Sequence, residues 1–234
     1  MRPLAVLIAG EPVPAALAAR GSFGRMIREA VADVWQGPWC EVDARAELPD
    51  FERFSGIIIS GSAANVPTRE PWIVQVERYL ARAVASGLPT FGICFGHQLL
   101  GQALGGLVSK NPRGREIGTV SLQVLAEDPL LAAFPAQFLV NMTHIDSVVS
   151  VPPGARVLAR TAQDEHAVIY FGERAWGVQF HPEMDAEIVG HYLAARSGVM
   201  RSEGLDADAA LHGARDTPES QALLRRFVAQ EVAR

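Results

Sequence analysis

The chain has 234 residues, 49% apolar and 20% charged, which suits one sizeable packed core and excludes a disordered or collagen-like chain. Against 26 Asp and Glu stand 21 Lys and Arg, a formal charge of −5, so neither nucleic acid nor an anionic membrane is expected as a partner. Two cysteines, Cys40 and Cys94, with no Cys-x-x-Cys pair, exclude a disulfide scaffold and a zinc ribbon.

The apolar run Leu4 to Ala9 reads as a buried strand and stops at Gly10-Glu11-Pro12. It is too short for a signal peptide or a membrane span, so a cytoplasmic protein is expected. Ser22 can cap a helix in which Phe23, Met26, Ile27, Ala30, Val31 and Val34 recur at helical spacing. A strand through Ile57, Ile58 and Ile59 ends in the turn Ser60-Gly61-Ser62. Pro71 suits the first position of a helix carrying Trp72, Val76, Tyr79, Leu80, Ala83 and Val84 on one face. Leu88 to Ile93 is the next buried strand, and Gly96 to Leu104 a helix stopped by Gly105-Gly106.

The second half is richer in strands. Val120, Leu122 and Val124 alternate with polar neighbours, and further strands fall at Phe138–Val140, Ala155–Ala159, Val168–Phe171 and Trp176–Phe180. Asp185 to Ala195 is helical. From Ser197 to Asp216 the pattern weakens around Gly198, Gly204 and Gly213, and Thr217-Pro218-Glu219 then reads as the cap of a last helix bearing Leu223, Leu224, Phe227 and Val228. Strands alternating with amphipathic helices predict an α/β fold: a mostly parallel open sheet, helices on both faces in three layers, with extra β strands and a C-terminal helical appendage. Residues 1–196 form the main domain, and 197–234 are expected to pack on it as the appendage.

Gly92-Ile93-Cys94-Phe95-Gly96 has the form Gly-x-nucleophile-x-Gly where a strand gives way to a helix. A sharp turn exposes the thiol, the glycines remove Cβ atoms that would clash, and the helix N-terminus favours a thiolate. A buried, inert cysteine is the competing reading. Cys40, in Trp39-Cys40-Glu41-Val42, has no such setting and reads as structural. A cysteine nucleophile needs a base, and the base an orienting partner. His181-Pro182-Glu183 offers both: if the segment is extended, residues two apart project together.

Phe91-Gly92-Ile93-Cys94-Phe95-Gly96-His97-Gln98, followed by Gly177-Val178-Gln179-Phe180-His181-Pro182-Glu183, resembles the class I, triad-type glutamine amidotransferases. Within them it is most similar to stand-alone domains like the amidotransferase domain of GMP synthase. The similarity spans roughly residues 1–195 and includes Ile59-Ser60-Gly61-Ser62, the segment Asn111 to Gly118, and Thr143-His144-Ile145-Asp146. The resemblance implies a flavodoxin-like amidotransferase fold and a Cys94-His181-Glu183 triad that forms a γ-glutamyl thioester and releases ammonia. It also implies oxyanion donors at the backbone N–H groups of Phe95 and Ser62. Ser62 departs from the glycine of many relatives and needs a negative φ there. Gln98 would help hold the substrate, with main-chain contacts from Thr143 and Ile145; His144 reads as a packed loop histidine.

Lys110, Arg113 and Arg115 form a basic loop, either solvated or facing an anionic acceptor. His97, His166, His191 and His212 lack metal-ligand spacing and take structural or surface roles, so no metal is expected. No P-loop or dinucleotide fingerprint occurs, so no cofactor is expected, and nothing activates an acceptor with ATP. The first functional reading is glutamine-amide hydrolysis supplying ammonia to a separate synthetase subunit. A self-sufficient γ-glutamyl peptide hydrolase is the second, and a non-catalytic interaction module the third.

Overall fold

The computed structural model describes residues 1–132 and 134–233. Arg234, the last residue of the expected appendage, lies outside them. The elements run β1 (Leu4–Ile8), α1 (Pro14–Arg20), α2 (Phe23–Ala30), β2 (Trp39–Asp43), β3 (Gly56–Ile59), α3 (Pro71–Ala85), β4 (Thr90–Ile93) and α4 (Phe95–Ala103). Then come β5 (Leu107–Lys110), β6 (Glu116–Val124), β7 (Gln137–His144), β8 (Asp146–Ser150), β9 (Arg156–Arg160), β10 (Val168–Gly172) and β11 (Ala175–Val178). Helices α5 (Ala186–Ser202), α6 (Ala207–His212) and α7 (Pro218–Phe227) follow, closed by a π-helical turn at Val228–Val232.

Nine strands form one sheet in the order β2-β1-β3-β4-β11-β10-β9-β6-β7, and β5 pairs with β8 apart from it. Neighbours are parallel from β2 to β11 and antiparallel from β11 to β7. The parallel half is the open α/β sheet anticipated from the sequence, and the β-rich second half extends it. Pleating divides the core between two faces. Leu4 and Val6 of β1 pack with Ile27, Val31 and Leu223 on one side, while Ala5 and Leu7 pack with Ile73, Leu80 and Leu99 on the other. Helices α2 and α7 therefore cover one face, and α3 and α4 the opposite one. All three isoleucines of β3 are fully buried, which is why that strand reads as a continuous apolar run. Burying each stabilises the fold by about 1.5–3 kcal/mol.

Ser22 caps α2 as expected, its Oγ accepting the Arg25 N–H at 3.2 Å. Thr217 stands at the N-cap of α7 with Pro218 opening the helix, as expected, but its side chain makes no capping bond. Its hydroxyl turns instead to the Ser220 hydroxyl, 2.7 Å away. Gly198 does not interrupt the chain either: α5 runs unbroken through residues 196 and 197 to Ser202. A mid-helix glycine costs about 1 kcal/mol against alanine, and Met200, buried with Val189, Leu193 and Ala207, offsets this by anchoring the far end. After it, α7 and the π-helical turn insert Leu223, Leu224, Phe227, Val228 and Val232 into the core. The Phe227 ring lies 5.0 Å from that of Phe91 on β4 and 6.1 Å from that of Trp176 on β11. The last helix thus braces the two strands whose C-terminal ends carry Cys94 and His181. The carboxyl ends of the strands in such a sheet are where α/β folds place their ligands.

Candidate active site

Cys94 stands between β4 and α4 with φ 51° and ψ −101°, a strained conformation for a residue with a side chain. Its N–H donates to Val178 O of β11 at 2.8 Å and its carbonyl accepts the Gln98 N–H of α4 at 3.0 Å, so the neighbouring strand and the following helix fix the bend. The glycines on either side are required by close approach. A Cβ on Gly92 would come within 2.5 Å of the Gly96 backbone, and one on Gly96 within 2.5 Å of Ile59 O.

His181 follows β11 and is 2% exposed, with its N–H donating to Asn141 O at 2.9 Å. The segment His181-Pro182-Glu183 is a turn closed by Met184 N–H on His181 O, where the sequence suggested an extended strand. Proline at 182 is compatible with this turn, and the turn rather than the pleat brings Glu183 Oε1 to 2.8 Å from His181 Nδ1. Phe23 stacks on the imidazole at 6.0 Å, and a Cβ on Gly61 would lie 2.7 Å from its Cε1. The ring therefore has little room to turn.

Electrostatics complete the pair. Burial alone would lower the His181 pKa, but the charges of Glu183 and Cys94 and hydrogen bonds to both push it up to about 10. Burial would raise the Cys94 thiol, but the His181 charge and hydrogen bond, aided by the charge of His144, bring it below its ordinary value. Both shifts run in the direction of a thiolate–imidazolium pair. Gln179 Nε2 donates a hydrogen bond to Cys94 Sγ at 3.5 Å, and His181 lines the larger cavity at Cys94. Catalytic hydrogen bonds often tighten when substrate binds.

Two cavities open on Cys94. One, about 150 Å³, is polar and lined by Ser62, Gln98, Arg115, His144 and Asp146 among others. The second, about 260 Å³, is lined by Pro12, Val13, Phe23, His181, Tyr192 and others. A larger hollow of about 690 Å³ beside Val124 and Phe134 holds none of these groups. Phe95, the first residue of α4, has an N–H without a partner inside the helix. Ser62 is not among the non-glycine residues at positive φ, and its Oγ is occupied with Ala9 O at 2.9 Å and Ala64 N–H at 3.0 Å. Both residues line the polar cavity beside Cys94.

Gln98 is not a surface residue: it is 4% exposed, and its Nε2 donates to Asp146 O at 2.7 Å and to Gln179 Oε1 at 3.1 Å. Thr143 lines both cavities, with its buried Oγ1 lacking a partner. Ile145 lines the polar cavity, its carbonyl already accepting the Asn111 N–H at 2.8 Å. The basic loop is not free: Arg113 pairs with Glu165, and Arg115 with Glu203 at 2.8 Å. The Arg115 side chain is only 10% exposed and reaches the polar cavity.

Three residues carry more of the site than the sequence suggested. Gln179, fully buried, links Gln98 to the sulfur. His144 ends strand β7 rather than occupying a loop, between Glu116 Oε2 at 3.1 Å and Asp146 O at 3.0 Å. Burial would lower its pKa, yet the Glu116 hydrogen bond and the charges of Asp164 and Cys94 raise it. Arg196, on α5, lines both cavities. By contrast, burial holds His97 down at a pKa of about 4, so it is a neutral packed ring. Among the described residues no cluster of three or more His, Cys, Asp or Glu is placed to hold a metal, and no helix is long and apolar enough to cross a membrane.

Residues 23–199 match the family described as glutamine amidotransferase class-I. The chain belongs to that family. It is 38% identical over 162 residues to a GMP synthase (glutamine-hydrolysing) of Aeropyrum pernix, a match covering 69% of this chain and 30% of that one. A glutamine amidotransferase-like protein of Schizosaccharomyces pombe is 27% identical over 210 residues, covering 83% and 84%. The crystal structure of a glutamine amidotransferase from Thermotoga maritima shares the fold, with a TM-score of 0.79 at 20% identity and 99% of each chain covered. The chain spans less than a third of the length of the GMP synthases it matches.

Proposed function

We propose that this chain hydrolyses the side-chain amide of glutamine through a thioester on Cys94. The observation that carries this reading is the elbow thiol beside an imidazole whose other nitrogen meets a buried carboxylate at 2.8 Å. The Cys94 thiolate attacks the amide carbon. The oxyanion that forms meets the N–H groups of Phe95 and Ser62, donors of a kind each worth about 3–4 kcal/mol in the transition state. His181, already protonated, passes its proton to the departing nitrogen, and the C–N bond breaks with release of ammonia. The now neutral imidazole takes a proton from water, the hydroxide cleaves the thioester, and glutamate leaves. Glu183 holds the ring and stabilises its charged form. Gln98, Thr143 and Ile145 line the cavity for the glutamyl half. These steps use no cofactor.

The similarity to glutamine-hydrolysing GMP synthases supports a further reading, that the ammonia serves a synthetase which activates an acceptor. Glutamate release from glutamine tests the chemistry. Cys94→Ala is expected to lose at least about 1,000-fold in turnover while retaining the circular dichroism of the folded chain. Wild-type turnover in a folded Cys94→Ala protein would overturn the proposal.

A further inference from the structure

The amide of Gln179 meets the Cys94 sulfur, and its orientation is not free to reverse. We propose that Gln98 and Gln179 form an amide relay that presents an N–H to the thiolate and couples the strength of that bond to the α-ammonium of a bound substrate. The inference rests on the reading of Cys94 as the nucleophile and of the polar cavity as the glutamyl side.

Orientation follows from a carbonyl two steps away. Gln98 touches Asp146 O at 2.7 Å and Gln179 at 3.1 Å through one and the same side-chain atom. A backbone carbonyl only accepts, so that atom is the amide nitrogen. Its second hydrogen meets Gln179, which must turn its oxygen to Gln98. The nitrogen of Gln179 is then left for Sγ, 3.5 Å away. Reversing Gln98 would set two acceptors together, and reversing Gln179 two donors, in a site where both side chains are buried. The sulfur is therefore held as an acceptor. A thiol accepts weakly and a thiolate strongly, so the relay favours the charged form. The amides gain and lose no proton; the thiol proton goes to His181.

The other end of the relay opens on the polar cavity, which Gln98, Asp146 and Cys94 line together. Both hydrogens of Gln98 Nε2 are committed, so what Gln98 still offers the cavity is Oε1, which receives no hydrogen bond among the described residues. An acceptor beside the Asp146 carboxylate suits a positively charged donor, and glutamine has one in its α-ammonium. Linked hydrogen bonds polarise one another. An ammonium on Gln98 Oε1 therefore strengthens the bond from Gln98 to Gln179, and through it the N–H that Gln179 gives the sulfur. The thiolate is best held when the glutamyl side is filled.

The test follows iodoacetamide alkylation of Cys94 across pH in the wild type and in Gln179→Met. The acid limb of the variant is expected to move up by about one pH unit. Alkylation then falls about 3-fold on that limb, where thiolate is scarcer, and rises about 3-fold on the plateau, where a less stabilised sulfur is the better nucleophile. A packing role alone would not make the two profiles cross, and profiles that do not cross would overturn the inference. Coupling is read from single-turnover ammonia release with glutamine and with glutaramate, the same amide without its α-amino group. In the wild type the acid limb for glutaramate is expected about 0.3 pH units above that for glutamine, and the two should coincide in Gln179→Met. Coincident limbs in the wild type, or glutaramate uncleaved at every pH, would overturn the coupling. So would a gap that Gln179→Met leaves intact, because the ammonium would then act on the sulfur through space. Each of these results leaves the triad standing, whereas ammonia release by Cys94→Ala at the wild-type rate would sink the reading of Cys94 itself. The wild-type comparison of the two substrates needs no variant to fold.

Discussion

At Cys94 burial and charge pull the thiol in opposite directions, and the charge and hydrogen bond of His181, aided by the charge of His144, prevail. The sign of the pH dependence follows. As pH falls through the lowered thiol pKa the thiolate is protonated and lost. As pH rises through about 10 the imidazolium loses its proton, so the productive pair lies between the two. Glu183→Gln removes the charge that sustains the imidazolium. It is expected to lower kcat/KM by about 100-fold or more and to narrow the pH–rate profile, most visibly by moving its alkaline limb down. An unchanged profile would mean that Glu183 plays no part in the pair. Cys94, His181 and Glu183 could be singled out as candidates from the sequence because each sits in a short motif, and the structure sets Glu183 Oε1 2.8 Å from His181 Nδ1. Gln179, His144 and Arg196 could not. Gln179 stood within a quoted motif, but nothing local tells that its amide turns to a sulfur 85 positions earlier. Arg196 reaches the cavities only because α5 folds back over the sheet edge.

At the scale of elements, the strand–elbow–helix unit works by close approach. The Gly92 and Gly96 backbones meet each other and Ile59 at distances that admit no methyl group. Gly96→Ala overlaps backbone rather than a movable side chain. It should destabilise the fold by about 2–3 kcal/mol, a fall in Tm of about 5–10 °C measurable by thermal unfolding. A variant as stable as wild type would show that α4 can shift without cost. The sequence made these elements readable where period and punctuation agree, as at Ser22, Pro71 and the β3 isoleucines. It misled where tertiary contacts override local preference. Gly198 looked like an interruption and lies inside α5, and Thr217, though it stands at the N-cap of α7, turns its hydroxyl to Ser220 rather than to the helix backbone. Strand β2 passed unseen because its five residues alternate weakly, with only Val42 fully covered.

Across the whole molecule, the sheet order β3-β4-β11 brings together what the chain separates. Cys94 leaves β4 and His181 follows β11, the strand beside it, although the two stand 87 positions apart in the sequence. The terminal helix α7 holds both strands from beneath through Phe227, which ties the C-terminal segment to the site without bringing it into the chemistry. The α/β class and the helices on both faces could be read from alternating strands and amphipathic helices; the antiparallel pairing beyond β11 could not, since pairing partners are set by topology rather than by any one strand. The central claim is that this topology makes one thiol nucleophilic by placing it against a distant imidazole. The most direct measurement is mass spectrometry after treatment with a glutamine-mimicking electrophile, in wild-type protein and in His181→Ala. The account predicts a single adduct on Cys94 that forms far more slowly in the variant; an adduct on Cys40, or equal rates in both proteins, would contradict it.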